Sequence, residues 1–162
     1  MRIIILFFLI ISLIGCNKSD SEKSEKWIKN SKGEVYIAIL ETFPWEGATP
    51  TFLTKKEVEE VNNILPKAVE KMNIDIKKMF HDTPSEWPNL IVNLNDYKRQ
   101  YFPYINKKTK QKEVFVSCFC RVPDDRWKNE GFNVLGGGNC YFHGTINLST
   151  GKFNDFMTNA PM

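Results

Sequence analysis

The sequence predicts an α+β domain in which an N-terminal strand and one main helix pack on a curled antiparallel sheet. Three observations predict it. Residues 54–72 repeat apolar side chains at helical spacing behind a capping signal. Residues 97–120 and 131–160 alternate at the two-residue period of strands, and lysine- or glycine-rich turns separate those strand-like stretches. A lone helix followed by a run of strands places a helical layer on one face of a sheet.

Ahead of the domain, Met1 and Arg2 precede an apolar run over residues 3–14, interrupted by Ser12 alone. A spanning helix needs about 20 apolar residues. A basic start, a short apolar middle and a small-residue cleavage site describe a secretory signal peptide over residues 1–15. A buried N-terminal helix would have to pack large side chains on every face, and the polar residues 17–26 offer nothing to pack against. The stretch "LIGC" (Leu13, Ile14, Gly15, Cys16) resembles the lipobox of bacterial lipoproteins. That resemblance implies cleavage after Gly15, a diacylglycerol thioether on the Cys16 sulfur, and in many such bacteria acylation (palmitate and related chains) of the new amine. Each buried CH₂ contributes roughly 0.8 kcal/mol, so two or more chains anchor stably where one does not. The expected partner is therefore the membrane, through Cys16, and the expected location is the cell envelope, on the outer membrane at its periplasmic side or on the cell surface. Residues 16–33 then read as the lipidated cysteine and a flexible tether, containing "NKSDSEKSEK", and residues 34–162 as a single domain.

Composition agrees with a folded, exported domain. Hydrophobic residues make up 42% of the chain, with twelve Phe, enough for a core and too many for a disordered tail. The net charge of +3 is too mild to argue for a nucleic-acid partner.

"EVYIAILETF" over residues 34–43 alternates Val35, Ile37 and Ile39 against Tyr36, Ala38 and Leu40, which predicts a strand; "PWEGATP" then reads as a loop. Thr54 and Glu57 fit a capping box. Val58, Val61, Leu65, Ala68, Val69 and Met72 form the apolar stripe behind it, opposite Glu59, Glu60, Asn63, Lys67 and Glu70. Pro66 inside this pattern predicts a kink or two shorter helices. "SEWPNL" reads as a loop. "YKRQYFPYIN" and "KEVFVSCFC" flank the basic turn "KKTKQ" and predict a hairpin, with Pro103 at an edge or bulge. "GFNVLGGGNCYFHGTINLST" predicts two strands around its glycines, and "FNDFMTNA" a last short strand.

"YKRQYFPYIN", "VFVSCFC" and "GGGNCYF", in this order, resemble a group of small uncharacterised bacterial envelope lipoproteins, and one helix before a curled sheet is similar to cystatin-like domains. Neither resemblance implies an activity, because such folds host inhibitors, binding modules and enzymes.

Strand parity puts Cys118 and Cys120 on one face with Val114 and Val116, and Cys140 on the apolar face of a later strand. All three cysteines are expected in one buried layer. Cys140 can bridge to Cys118 or Cys120 if the strands adjoin, or all three can remain reduced core residues. Cys140 and His143 fall on opposite strand faces, which argues against a metal site and against a Cys–His nucleophile. No catalytic residue and no cofactor is expected. The other face carries Phe115, Ser117, Phe119, Tyr141, His143 and Thr145, and Tyr97, Arg99, Tyr101 and Tyr104 are expected to extend it. Tyr97, Arg99, Tyr101, Tyr141 and His143 form the candidate binding face; the alternatives are ordinary cross-strand pairing, or a face covered by "PWEGATP" and Trp127. Lys107, Lys108, Lys110 and Lys112 read as a solvated turn, with contact to anionic head groups as the alternative.

The expectation for function is a lipid-anchored, non-catalytic module that binds an envelope protein or a small ligand, with an inhibitor or immunity-type protein as a specific version. A thiol-dependent Cys/His hydrolase and a structural spacer are the alternatives.

Overall fold

The computed structural model describes residues 22–41, 46–86 and 90–160. The expected signal peptide, Cys16, residues 44 and 45 of the first loop and residues 87–89 of "SEWPNL" lie outside the described residues. Among the described residues seven strands form one sheet: β1 (Trp27–Lys29), β2 (Val35–Ile39), β3 (Ala48–Pro50), β4 (Lys98–Asn106), β5 (Lys112–Phe119), β6 (Tyr141–Asn147) and β7 (Lys152–Thr158). The order is β1-β2-β4-β5-β6-β7, with β3 also paired to β4. The sheet is mostly antiparallel and is not closed into a barrel; β2 and β4 run parallel, with Ile37 opposite Arg99 and Ile39 opposite Tyr101.

The helix, α1 (Lys55–Met79), begins where the capping box predicts. The Glu57 amide donates to Thr54 Oγ1 at 3.2 Å, and the Thr54 amide donates to Glu57 Oε2 at 2.7 Å. The predicted stripe is the buried one: Val58, Val61, Leu65, Ala68, Val69 and Met72. It packs on Ile37, Ile39, Tyr101, Val116, Phe142 and Ile146, and each large apolar group so buried contributes about 1.5–3 kcal/mol. Pro66 does not divide the helix, which runs through it. Its ring is exposed, away from the packed stripe, so the Asn62 carbonyl loses an intrahelical donor without disturbing the core. Among the described residues no helix is long and apolar enough to cross a membrane.

The Lys112 ammonium reaches back from β5 to both Glu57 oxygens, at 2.6 and 2.7 Å. Partial burial alone would raise the Glu57 carboxyl, but the hydrogen bonds from Lys112 and Thr54 outweigh it and hold the group below its ordinary value. A depressed folded-state pKa stabilises above the unfolded value and loses that contribution as pH falls through the folded one. Thr54→Ala is expected to cost about 1 kcal/mol at neutral pH. The destabilisation by Glu57→Gln is expected to shrink on acidification below the ordinary carboxylate range. Urea unfolding at neutral and acidic pH checks both, and a Glu57→Gln penalty independent of pH would contradict the assignment.

The first departure from expectation is at the N-terminal side. The tether does not extend to residue 33. Lys23 bridges Thr54, the Ser24 amide donates to the Leu53 carbonyl at 2.8 Å, and Trp27–Lys29 pairs with β2 as an added edge strand. A register shift between Ile28 and Lys29 lets Val35 and Tyr36 together oppose Lys29, so Tyr36 packs against the same cluster as Ile37.

The "PWEGATP" loop also contributes a strand, β3, from its last three residues. This pairing explains Pro103, which sits inside β4 rather than at an edge. Its carbonyl accepts the Thr51 amide, so its missing N–H faces the same side, in the gap where β2 pairing ends and β3 pairing begins. Finally, "GFNVLGGGNCYFHGTINLST" yields one strand, β6, instead of two. Gly136, Gly137 and Gly138 all adopt positive φ and lead into a short 3₁₀ turn, Gly138–Cys140. A Cβ at Gly137 would lie 2.6 Å from the Tyr141 ring, so only glycine fits this close approach.

Candidate functional site

The helix covers one face of the sheet. The segment between β5 and β6 folds over part of the other. Trp127, in the 3₁₀ turn Asp125–Lys128, is buried and meets Phe119 edge to face at 5.4 Å. Phe132 meets the same Phe119 ring at 5.0 Å and Tyr141 at 6.3 Å. These rings form a second, smaller core with Ala38.

Gln100 holds the segment down. It is fully buried in β4. Its amide nitrogen donates to the Trp127 carbonyl and to the Glu130 carbonyl (2.6 Å), and its oxygen accepts the Phe132 amide at 2.8 Å. One side chain thus satisfies three backbone groups that a covering loop would otherwise bury unpaired. Farther along, the Asn159 amide donates to the Val134 and Gly136 carbonyls at 2.6 and 2.9 Å.

Between this segment and the rest of the open face lies a groove of about 620 Å³. Phe102 and Phe115, 6.0 Å apart, form its floor; Phe132 and Asn133 form a wall; Ser117 and His143 supply polar groups. His143 is half-buried with its ring 5.6 Å from Phe115, and burial lowers its pKa. The imidazole is therefore neutral at neutral pH, with one ring nitrogen left as an acceptor.

The five residues expected on one binding face are divided between two. Tyr97 and Tyr101 lie in the main core under the helix, and the Tyr101 hydroxyl donates to Asn62 of α1 at 2.7 Å. Arg99 lies opposite Cys118 in the register and stacks over Tyr36 at 5.6 Å, so it too belongs to the helix side. Tyr141 and His143 lie on the other face, as does Tyr104, whose hydroxyl donates to Glu113 at 2.6 Å. The correction is one of strand phase: in β4 the even residues Gln100, Phe102 and Tyr104 face away from the helix.

The cysteines are not in one layer either. Cys120 is bonded to Cys140, and Cys118 is free and buried. Cys118 turns toward the helix opposite Phe142, whereas Cys120 lies just past β5, exposed, with its amide donating to the Cys140 carbonyl at 2.9 Å. Burial pushes the Cys118 thiol up to about 12, so it is protonated and poorly nucleophilic. Among the described residues no group of three His, Cys, Asp or Glu side chains is placed to hold a metal ion.

Gln100, Phe132 and Asn133 carry the site and were not singled out in the sequence. The available signal was the neutral amide of Gln100 amid the aromatic residues of "QYFPY", a polar group that burial would force to find partners. Compared with known families, characterised proteins and solved structures, the chain shows no match.

Proposed function

We propose that this chain is a lipid-anchored cell-envelope protein whose domain binds a small, largely aromatic ligand without chemical turnover. The observation that carries the binding reading is the groove of about 620 Å³ with a phenylalanine floor and a neutral His143. Ligand sites are typically concave and mostly apolar, with a few convergent polar groups. A flat aromatic ring suits a groove lined by Phe102, Phe115 and Phe132, and an N–H or O–H on it can donate to His143. The protonated, buried Cys118 supports binding over thiol chemistry. The anchor rests on the lipobox resemblance at Cys16, and the cystatin-like reading rests on α1, the one α-helix among the described residues, lying across a mostly antiparallel sheet.

Indole is a suitable probe, an aromatic ring with one N–H donor. Titrated into ¹⁵N,¹³C-labelled protein, it is expected to shift the resonances of His143, Phe115 and Phe132. Binding is expected to weaken as pH falls through the lowered pKa of His143, because the imidazolium has no acceptor left. His143→Phe, which keeps the ring area, is expected to weaken indole binding and abolish that pH dependence. Absence of shifts at these residues with millimolar indole, or identical binding by His143→Phe, would overturn the reading.

A further inference from the structure

We infer that the end of the domain carrying the β4–β5 turn faces an anionic phospholipid surface, an orientation that rests on the anchor at Cys16. The described chain enters the fold at this end. The Glu22 carbonyl accepts the Lys55 amide at 3.2 Å and the Glu22 carboxylate pairs with Lys55 at 2.9 Å, at the start of α1. The first turn of α1 is joined to the start of β5 by the Glu57–Lys112 pair. The exposed Phe52 ring sits between the two regions, 5.9 Å from the Lys23 ammonium and 5.3 Å from that of Lys112. The β6–β7 turn joins the same end, because the Lys112 amide donates to Ser149 Oγ at 3.2 Å. Only residues 17–21 separate Cys16 from Glu22. At about 3.3–3.6 Å per residue, the six steps span at most roughly 20 Å. An acylated Cys16 therefore holds this end, and not the far end, within reach of the head groups.

The charge at this end suits that surface. Lys107, Lys108 and Lys110 are exposed and form no ion pair among the described residues. Nearby carboxylates are engaged: Glu22 by Lys55, Glu57 by Lys112, and Glu113 by Tyr104 and Asn106. Glu46, beside Gly47, is exposed and subtracts one charge. The turn is also fixed in shape. Asn106 Oδ1 accepts the amides of Lys108 and Thr109 at 3.0 and 3.1 Å, and the Lys110 amide donates to the Asn106 carbonyl at 2.8 Å. Lys110 itself holds φ at +61°, a conformation in which glycine is the less strained residue, so a charged side chain is presented where a bare turn would form more easily. Each such lysine favours the facing orientation by about fivefold, so the three together contribute about a hundredfold.

The test uses the mature acylated protein on vesicles of phosphatidylcholine with or without phosphatidylglycerol. A nitroxide is placed at Thr109→Cys, between the lysines, or at Leu135→Cys, an exposed site on the segment beyond the far end of β5. Accessibility to a water-soluble nickel chelate is read by power saturation. The expected result is protection at position 109 on anionic vesicles, none at 135, and loss of the protection in the Lys107→Glu, Lys108→Glu, Lys110→Glu triple variant while the protein still sediments with the vesicles. Equal accessibility at 109 and 135 in sedimented, acylated protein would overturn the orientation and leave the anchor standing. A mature N-terminal peptide without acyl mass, in protein that does not sediment, would overturn the anchor and the orientation with it.

Discussion

Gln100→Leu is expected to destabilise the domain by about 3–5 kcal/mol and to release residues 127–132 from the sheet. Leucine fills much of the same space but offers no donor or acceptor. The carbonyls of Trp127 and Glu130 and the amide of Phe132 then lose their partner together. A buried backbone group left unsatisfied costs roughly 1–3 kcal/mol; the Trp127 carbonyl is buried and the Glu130 and Phe132 groups part-buried, so the joint loss exceeds most single-site effects even where the part-buried groups recover a water. Gln100→Glu keeps the shape and the acceptor for Phe132 but sets a carboxylate oxygen against two carbonyls. It is expected to be at least as harmful. Urea unfolding gives the loss, and hydrogen exchange at the Phe132 amide locates it. A loss below about 1 kcal/mol with Phe132 still protected would show that Trp127 packing alone holds the segment.

Removing the disulfide, by Cys120→Ala with Cys140→Ala or by reductant, is expected to cost about 3 kcal/mol. The bridge spans a separation of 20 residues, and the chain-entropy model assigns a loop of that size roughly this stabilisation. Both ends of the covering segment are gathered where β5 ends and β6 begins, so the bridge limits how far an unfolded chain can spread. It does not shape the groove directly, because Gln100 and Trp127 act between its ends. Indole binding is expected to survive the double variant in conditions where the domain remains folded. Combined with Gln100→Leu, the two losses are expected not to add, since both restrain one segment. Unchanged stability under reductant, with peptide mapping showing the bridge present beforehand and absent after, would refute the assignment.

Local chemistry was the legible part of this fold. The start of α1 depends on Thr54 and Glu57, three residues apart, and its buried face on a repeat contained within the helix. The phase of β4 was not legible. Tyr97, Arg99 and Tyr101 compete with Gln100, Phe102 and Tyr104, and each set mixes aromatic and polar residues, so neither reads as the core face by itself. The choice is made from a distance, by Asn62 receiving Tyr101 on one side and by the covering segment receiving Gln100 on the other. The disulfide was ambiguous for a similar reason. Cys118 and Cys120 have the same parity, and the end of β5 at Phe119 is what frees Cys120 to meet Cys140. The edge strands β1 and β3 are three residues each, too short for any periodicity to register.

The parallel pairing of β2 with β4 has a kinetic consequence. From β4 to β7 each strand hydrogen-bonds to the next in sequence, whereas Ile37 meets Arg99 about sixty residues later. A growing polypeptide can therefore pair β1 with β2 long before β4, the other partner of β2, exists. The late hairpins are suited to nucleate folding, and the β1–β2 pair waits longest, with the other edge of β2 unpaired, before the native contacts close.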